Sequence, residues 1–161
     1  MTMISLIAAM SENRVIGINN AMPWNIRAEM QYFKDTTMGK PMIMGRKTFD
    51  AIGRRLLPGR KTIVLTRDQD LDVPGVIVAH SVAEALQVAG DVPEVMIVGG
   101  AGVYQEFLPL AQRVYLSVIP QEYNGDAFFP ELDTSIWHLE SQQQHAEFCA
   151  QIYQIKTIRE V

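Results

Sequence analysis

The sequence predicts an α/β fold: one domain with a mostly parallel central β-sheet, an antiparallel hairpin at the C-terminus and about four flanking helices. Three observations carry this. Apolar runs of strand length recur along the chain with turn residues between them, and capped segments of helical period separate several of those runs. The last run alternates apolar and polar residues far from any helix, which suits an antiparallel hairpin at a sheet edge. Strands that alternate with helices favour parallel pairing with both faces covered.

Taken in order, "MISLIAAM" (3–10) is the first strand. Within "PWNIRAEMQYFK", a helix over 25–37 places Ile26, Met30, Phe33 and Thr37 on one buried stripe, with Glu29 close to its edge. A carboxylate there costs several kcal/mol to bury unless it has a partner. "PMIMG" (41–45) is a second strand, followed by a short helix near 47–52, and "KTIVLT" (61–66) and "GVIVAH" (75–80) are the next strands. "SVAEALQVAG" is a helix with Ser81 and Glu84 at capping-box spacing and Gly90 as its stop. "EVMIVGG" (94–100) leads into a helix "AGVYQEFLPLA", then the strand "RVYLSVI" (113–119), and "QIYQIKTI" (151–158) closes the hairpin. No linker, repeat or biased segment divides the chain, so residues 1–161 are expected to form one domain.

At 161 residues, a single domain buries enough surface to fold without disulfides or structural metal. The lone Cys149 excludes an intramolecular disulfide and reads as a small apolar side chain. The N-terminal stretch lacks the basic lead and length of a signal peptide or membrane span, so a cytoplasmic protein is expected. A net charge of −4 argues against general nucleic-acid binding. Yet Arg46, Lys47, Arg54, Arg55, Arg60, Lys61 and Arg67 are half of the fourteen basic residues, and only Asp50 opposes them in that span. With Phe49 the one aromatic residue in that span, there is no interleaved series for base stacking, and this cluster suits a small polyanion.

"GRKT" occurs twice. The copy at 59–62 departs from a phosphate-binding P-loop in spacing, carries Arg60 where lysine belongs and runs into a strand. The copy at 45–48 follows a strand and opens a helix, which aims backbone N–H groups and the side chains of Arg46 and Lys47 at an anion. "VGGAGVYQEF" repeats the strand, glycine, helix arrangement with Gly99, Gly100 and Gly102. Together with Thr66 and Arg67 of "LTR", these junctions can hold a dinucleotide that carries an extra phosphate. His80, His138 and His145 show no metal-ligand spacing, and no nucleophile elbow occurs. Glu29, beside Trp24 and Phe33, remains the one conspicuous acid.

"ISLIAAM", "NRVIGINNAMPWN", Glu29 followed by Phe33 and Lys34, "GKPMIMGRKTFDAIG", "LPGRK", "VMIVGGAGVYQEFLP" and "YNGDAFFP" together resemble bacterial dihydrofolate reductases, in matching order from about residue 3 onward. The resemblance implies NADPH-dependent reduction of 7,8-dihydrofolate to tetrahydrofolate, by hydride transfer to C6 and protonation at N5. It implies that Glu29 pairs with the pterin's amide N–H and 2-amino group, a charge-assisted bidentate contact, and that Ser117 braces it. Met22, Trp24 and Tyr104 would complete the catalytic group. Ile7, Ala8, Ala9, Met30, Phe33, Ile52, Leu57 and Val98 would line the substrate pocket, with Arg60 on the glutamyl carboxylate. Ala9, Ile16, Gly17, Asn20, Gly45, Arg46, Lys47, Thr48, Leu65, Thr66, Arg67, Val98, Gly99, Gly100, Ala101, Gly102, Val103 and Tyr104 would hold NADPH. Residues 11–26 would be the loop that closes over the nicotinamide. The resemblance also implies a monomer that binds antifolates, with no nucleic-acid or membrane partner.

The chain departs from the family's usual pattern in four places. Glu29 stands where Asp is common, and Arg27 where Pro is common. "IGRRLLPGR" is one residue longer than usual, which leaves open whether Leu56 or Leu57 meets substrate. Gly102 replaces a frequent basic residue, which shifts cofactor-phosphate binding towards Arg46, Lys47 and Arg67. Competing readings are a related NADPH-dependent pyrimidine or pterin reductase, a non-catalytic nucleotide-binding module and a nucleic-acid-binding protein.

Overall fold

The computed structural model describes residues 2–19 and 21–156. Its main sheet has eight strands. β1 (Met3–Ser11) lies between two parallel partners, β6 (Glu94–Ile97) and β7 (Arg113–Ile119). Beyond β6 come β3 (Met42–Gly45), β4 (Thr62–Leu65) and β5 (Val76–Ala79), all parallel. On the other side, β10 (Cys149–Ile155) pairs antiparallel with β7, and β9 (Trp137–Gln144) forms the edge. The spatial order is β5-β4-β3-β6-β1-β7-β10-β9.

Period-two alternation sorts the parallel strands into two buried layers. Leu6, Ala8, Ile43, Ile63, Val95, Ile97, Val114 and Leu116 pack on one face, with Phe107 and Tyr104 of α4 (Ala101–Phe107) and Ala85 and Ala89 of α3 (Val82–Ala89). Ile7, Met42, Met44, Val64, Met96 and Tyr115 pack on the other, with Phe49 of α2 (Arg46–Ala51) and Phe33 of α1 (Arg27–Thr37). The Ser81 side chain caps α3 by accepting the Glu84 N–H, as its spacing predicts.

Several expectations need correcting. A two-stranded sheet, β2 (Val15–Gly17) with β8 (Ala127–Phe128), lies inside and opposite the expected mobile loop. These strands are too short to show a pattern. β9 went unseen because Trp137 is its only buried residue, so no apolar run marks it. The expected antiparallel edge hairpin is present as β9 with β10, β10 being its inner strand, and residues 157 and 158 of the expected strand lie outside the described residues. β6 stops at Ile97, and the glycines beyond it belong to the turn into α4. Met30 is 53% exposed, while Glu29 and Thr37 are the buried residues of α1. The inner line of that helix therefore runs through 29, 33 and 37, rotated away from Met30.

Candidate active site

In parallel sheets ligands gather at the carboxyl ends of strands, where the chain order reverses. Here that point lies between β3 and β6. α2 and α4 start there, and the Gly45 N–H donates to Gly99 O at 2.8 Å. A Cβ on Gly45 would stand 2.9 Å from Val103 Cγ2, so only glycine permits this approach. Gly99 has φ +121°, and a Cβ there would meet the Tyr104 hydroxyl at 3.2 Å. The Gly99–Gly100 peptide is cis.

An open cleft of about 520 Å³ crosses these strand ends, lined by Gly45, Arg46, Lys47, Leu65, Thr66, Arg67, Gly100, Ala101, Gly102 and Val103. The sequence named all ten. The cleft wall also includes His80, Ser81, Val82 and Glu106, which it did not. A signal was available: "AHSVAE" is a third strand-to-helix junction, and its capped start faces the same end of the sheet. His80 Nδ1 lies 2.9 Å from Thr66 O, which ties β5's end to β4's. Thr48 approaches Gly100, where a Cβ would lie 3.4 Å from its Oγ1. Ile16 and Gly17 both lie in β2, outside the cleft wall, and Asn20 lies outside the described residues.

Beside the cleft, Glu29 is buried on α1. Ser117 Oγ, on β7, donates to Glu29 Oε2 at 3.1 Å. Burial lifts the Glu29 carboxyl from 4.5 to about 7, with the Ser117 bond pulling the other way. Ile7, Phe33, Ile52, Leu57 and Val98 share one apolar cluster. Leu57 is on this side, whereas Leu56 is exposed and lies over Gly75. The β1 pleat turns Ala8 to the opposite face, so its side chain packs among Leu116 and Tyr104 instead of with Ile7. Ala9 packs with the cluster of Trp24, Ile26 and Phe148. Tyr104 OH donates to Ile7 O at 2.7 Å; burial and then the Glu29 charge drive its own titration far upward, so it is a fixed neutral donor. Arg60 Nη1 donates to Thr37 Oγ1 at 3.2 Å, anchoring the guanidinium at the end of α1.

Trp24 is buried against Tyr123, ring centroids 5.4 Å apart, and its Nε1 has no hydrogen-bond acceptor among the described residues. Met22 is 52% exposed. The loop that carries them is fastened elsewhere: Asn13 Nδ2 donates to Tyr123 O, Arg14 Nη1 to Phe129 O and the Asn19 N–H to Asp126. Among the described residues no group of His, Cys, Asp and Glu is arranged to hold a metal ion, and no helix is long and apolar enough to cross a membrane.

A basic cleft across strand ends, next to a buried carboxyl that titrates near neutrality, suits an enzyme that binds a phosphate-bearing ligand beside an acid group. The family model for dihydrofolate reductase matches residues 3–159. The chain belongs to the dihydrofolate reductase family. It is 43% identical over 143 residues to dihydrofolate reductase type 3 of Salmonella typhimurium, covering 89% of this chain and 88% of that protein. It is 44% identical over 142 residues to the Bacillus subtilis dihydrofolate reductase, covering 88% and 84%. The solved structure of Enterococcus faecalis dihydrofolate reductase, complexed with NADP(H) and RAB-propyl, superposes with a TM-score of 0.91 at 33% identity, covering 96% of this chain and 97% of that one.

Proposed function

We propose that Glu29 is the group through which this enzyme binds and protonates 7,8-dihydrofolate while reducing it with NADPH. The observation that carries the reading is the buried Glu29 carboxyl, braced by Ser117 and titrating near 7. A carboxyl of that kind accepts two hydrogen bonds from a pterin's amide edge when ionised, and holds a proton near neutral pH.

The cleft residues fit a dinucleotide: two helix starts, the close approach at Gly45 and the side chains of Arg46, Lys47 and Arg67 suit a pyrophosphate and a ribose phosphate. NADPH, when bound, supplies the hydride. Tyr104, held on Ile7 O, fixes the middle of β1, beside which substrate and nicotinamide would meet. Ile7, Phe33, Ile52, Leu57 and Val98 offer the apolar wall for the pterin and its aromatic neighbour, and Arg60 the fork for a carboxylate at the mouth. Trp24 Nε1 is a buried donor available to a water or to substrate. Met22 and Met30, both exposed, would be covered by ligand and by closure of the 11–26 loop, which excludes water from the hydride path.

The test is the loss of NADPH absorbance on adding dihydrofolate, with NADH and substrate-free controls. Oxidation that requires dihydrofolate and prefers NADPH supports the assignment. Cofactor binding without turnover, or a preference for a pyrimidine substrate, would overturn it. We further infer that the chain acts as one domain and a cytoplasmic monomer, binds antifolates that present an amide-like edge to Glu29, and leaves nucleic acid alone. Light scattering after size exclusion tests the monomer.

A further inference from the structure

Arg46 stands at the cleft wall, yet its guanidinium is already engaged. Nη1 donates to Asp68 Oδ2 at 2.7 Å, and Nε lies 3.8 Å from Asp50 Oδ2. Asp50 is shared, since it also takes Arg54 Nε at 2.7 Å. Asp68 is held in place. Its N–H donates to Thr66 Oγ1 at 3.1 Å, and its Oδ1 accepts the Asp70 N–H at 2.9 Å. The carboxylate thus stays beside Thr66 and Arg67, which both line the cleft.

We propose that Asp68 tempers the enzyme's discrimination between NADPH and NADH, by holding Arg46 in an ion pair against which the extra ribose phosphate must compete. This rests on the reading that the phosphate binds among Arg46, Lys47 and Arg67. A ribose phosphate carries close to two negative charges at neutral pH, as phosphate monoesters do. It must either take Arg46 from Asp68 or bind beside a fixed carboxylate of like sign. NADH carries no charge at that position and meets neither cost. The pair is half exposed, so the effect is modest and weakens with salt. Arg67, which makes no ion pair among the described residues, then contributes more to cofactor choice than Arg46.

Fluorescence titration of the full chain with NADPH and with NADH tests this, comparing wild type, D68N, R46A, R67A and the D68N/R46A double variant. D68N is expected to bind NADPH roughly three- to tenfold more tightly at low ionic strength, with less than about a twofold change for NADH. The gain should shrink in 0.5 M salt, taken here as about the point where screening dominates, and vanish in the R46A background. D68N that leaves NADPH affinity unchanged, or weakens it, overturns the proposal: Asp68 would then be neutral or would aim Arg46 productively. That failure is separate from one in which neither R46A nor R67A lowers the preference for NADPH over NADH. The latter places the phosphate elsewhere and overturns the underlying reading as well.

Discussion

Glu29 owes its titration to burial, which removes water from the charged form, and Ser117 restores part of what is lost. Ser117→Ala removes the one hydrogen bond that lowers it, so the pH profile of the reaction should move upward with little change at acid pH. A steady-state profile against pH checks this, and an unmoved profile would mean Ser117 does not govern the acid. The acid was legible as a misplaced charge: a carboxylate beside an apolar helical stripe needs a reason. The details were not. Helical spacing put Met30 on the buried line, but the helix turns so that 29, 33 and 37 face inward. Residue periodicity gives a stripe, and only tertiary packing fixes its rotation within a sixth of a turn or so. Likewise the one-residue insertion left Leu56 and Leu57 equivalent on paper, while Leu57 alone joins the cluster of Phe33 and Ile52.

Among the elements, the loop over 11–26 is closed in by its contacts with 121–129. Gly125 permits this: a Cβ there would stand 2.3 Å from Val15 Cγ1 and 2.7 Å from Gly17 O. Gly125→Ala should therefore push β2 off β8 and destabilise the protein by about 1–3 kcal/mol, the usual range for overpacking. Because that pairing carries the loop, kcat should fall more than the affinity for NADPH. Urea unfolding and single-turnover kinetics measure the two effects, and a variant with unchanged stability would contradict the packing account. The apolar inner strands and the capped helix at Ser81 were readable because burial on two faces and capping leave residue patterns. β2, β8 and β9 left none: two are only two or three residues long, and β9 is polar and exposed at an edge. The cleft at the strand ends was readable where glycines and basic side chains coincide. It was missed at His80 and Glu106, whose place depends on how β5 and α4 are brought together.

Over the whole molecule, two carboxyls, the half-buried Glu94 and the buried Glu29, work in opposite directions with pH. Burial raises Glu94, but hydrogen bonds from Lys40, Ser5 and Tyr115 outweigh it and hold that carboxyl below its usual range. Its contribution to stability is present above the unfolded-state value and is lost as acid protonates it in the folded protein. Glu29 is the reverse. Its raised value favours the protonated form in the folded state, so its contribution is full below 4.5 and is lost as pH rises through about 7. The difference amounts to roughly 3 kcal/mol. The stability of wild type relative to Glu29→Gln should therefore decline by about that much between pH 4.5 and somewhat above 7, measured by urea unfolding. A difference that does not vary with pH would mean Glu29 is solvated.

Under the role proposed for Glu29, the same titration controls the chemistry. The most direct measurement is the rate of hydride transfer in a single turnover, followed against pH for wild type and Glu29→Gln. The wild-type rate should fall with an apparent midpoint near 7, displaced by bound ligands, as the carboxyl gives up its proton. Glu29→Gln should be slower at neutral pH by orders of magnitude, roughly 10²–10⁴-fold, and recover in part as falling pH lets solvent protonate the substrate directly. A Glu29→Gln enzyme that transfers hydride at the wild-type rate with the wild-type profile would contradict the assignment, and the proton would have to come from another group.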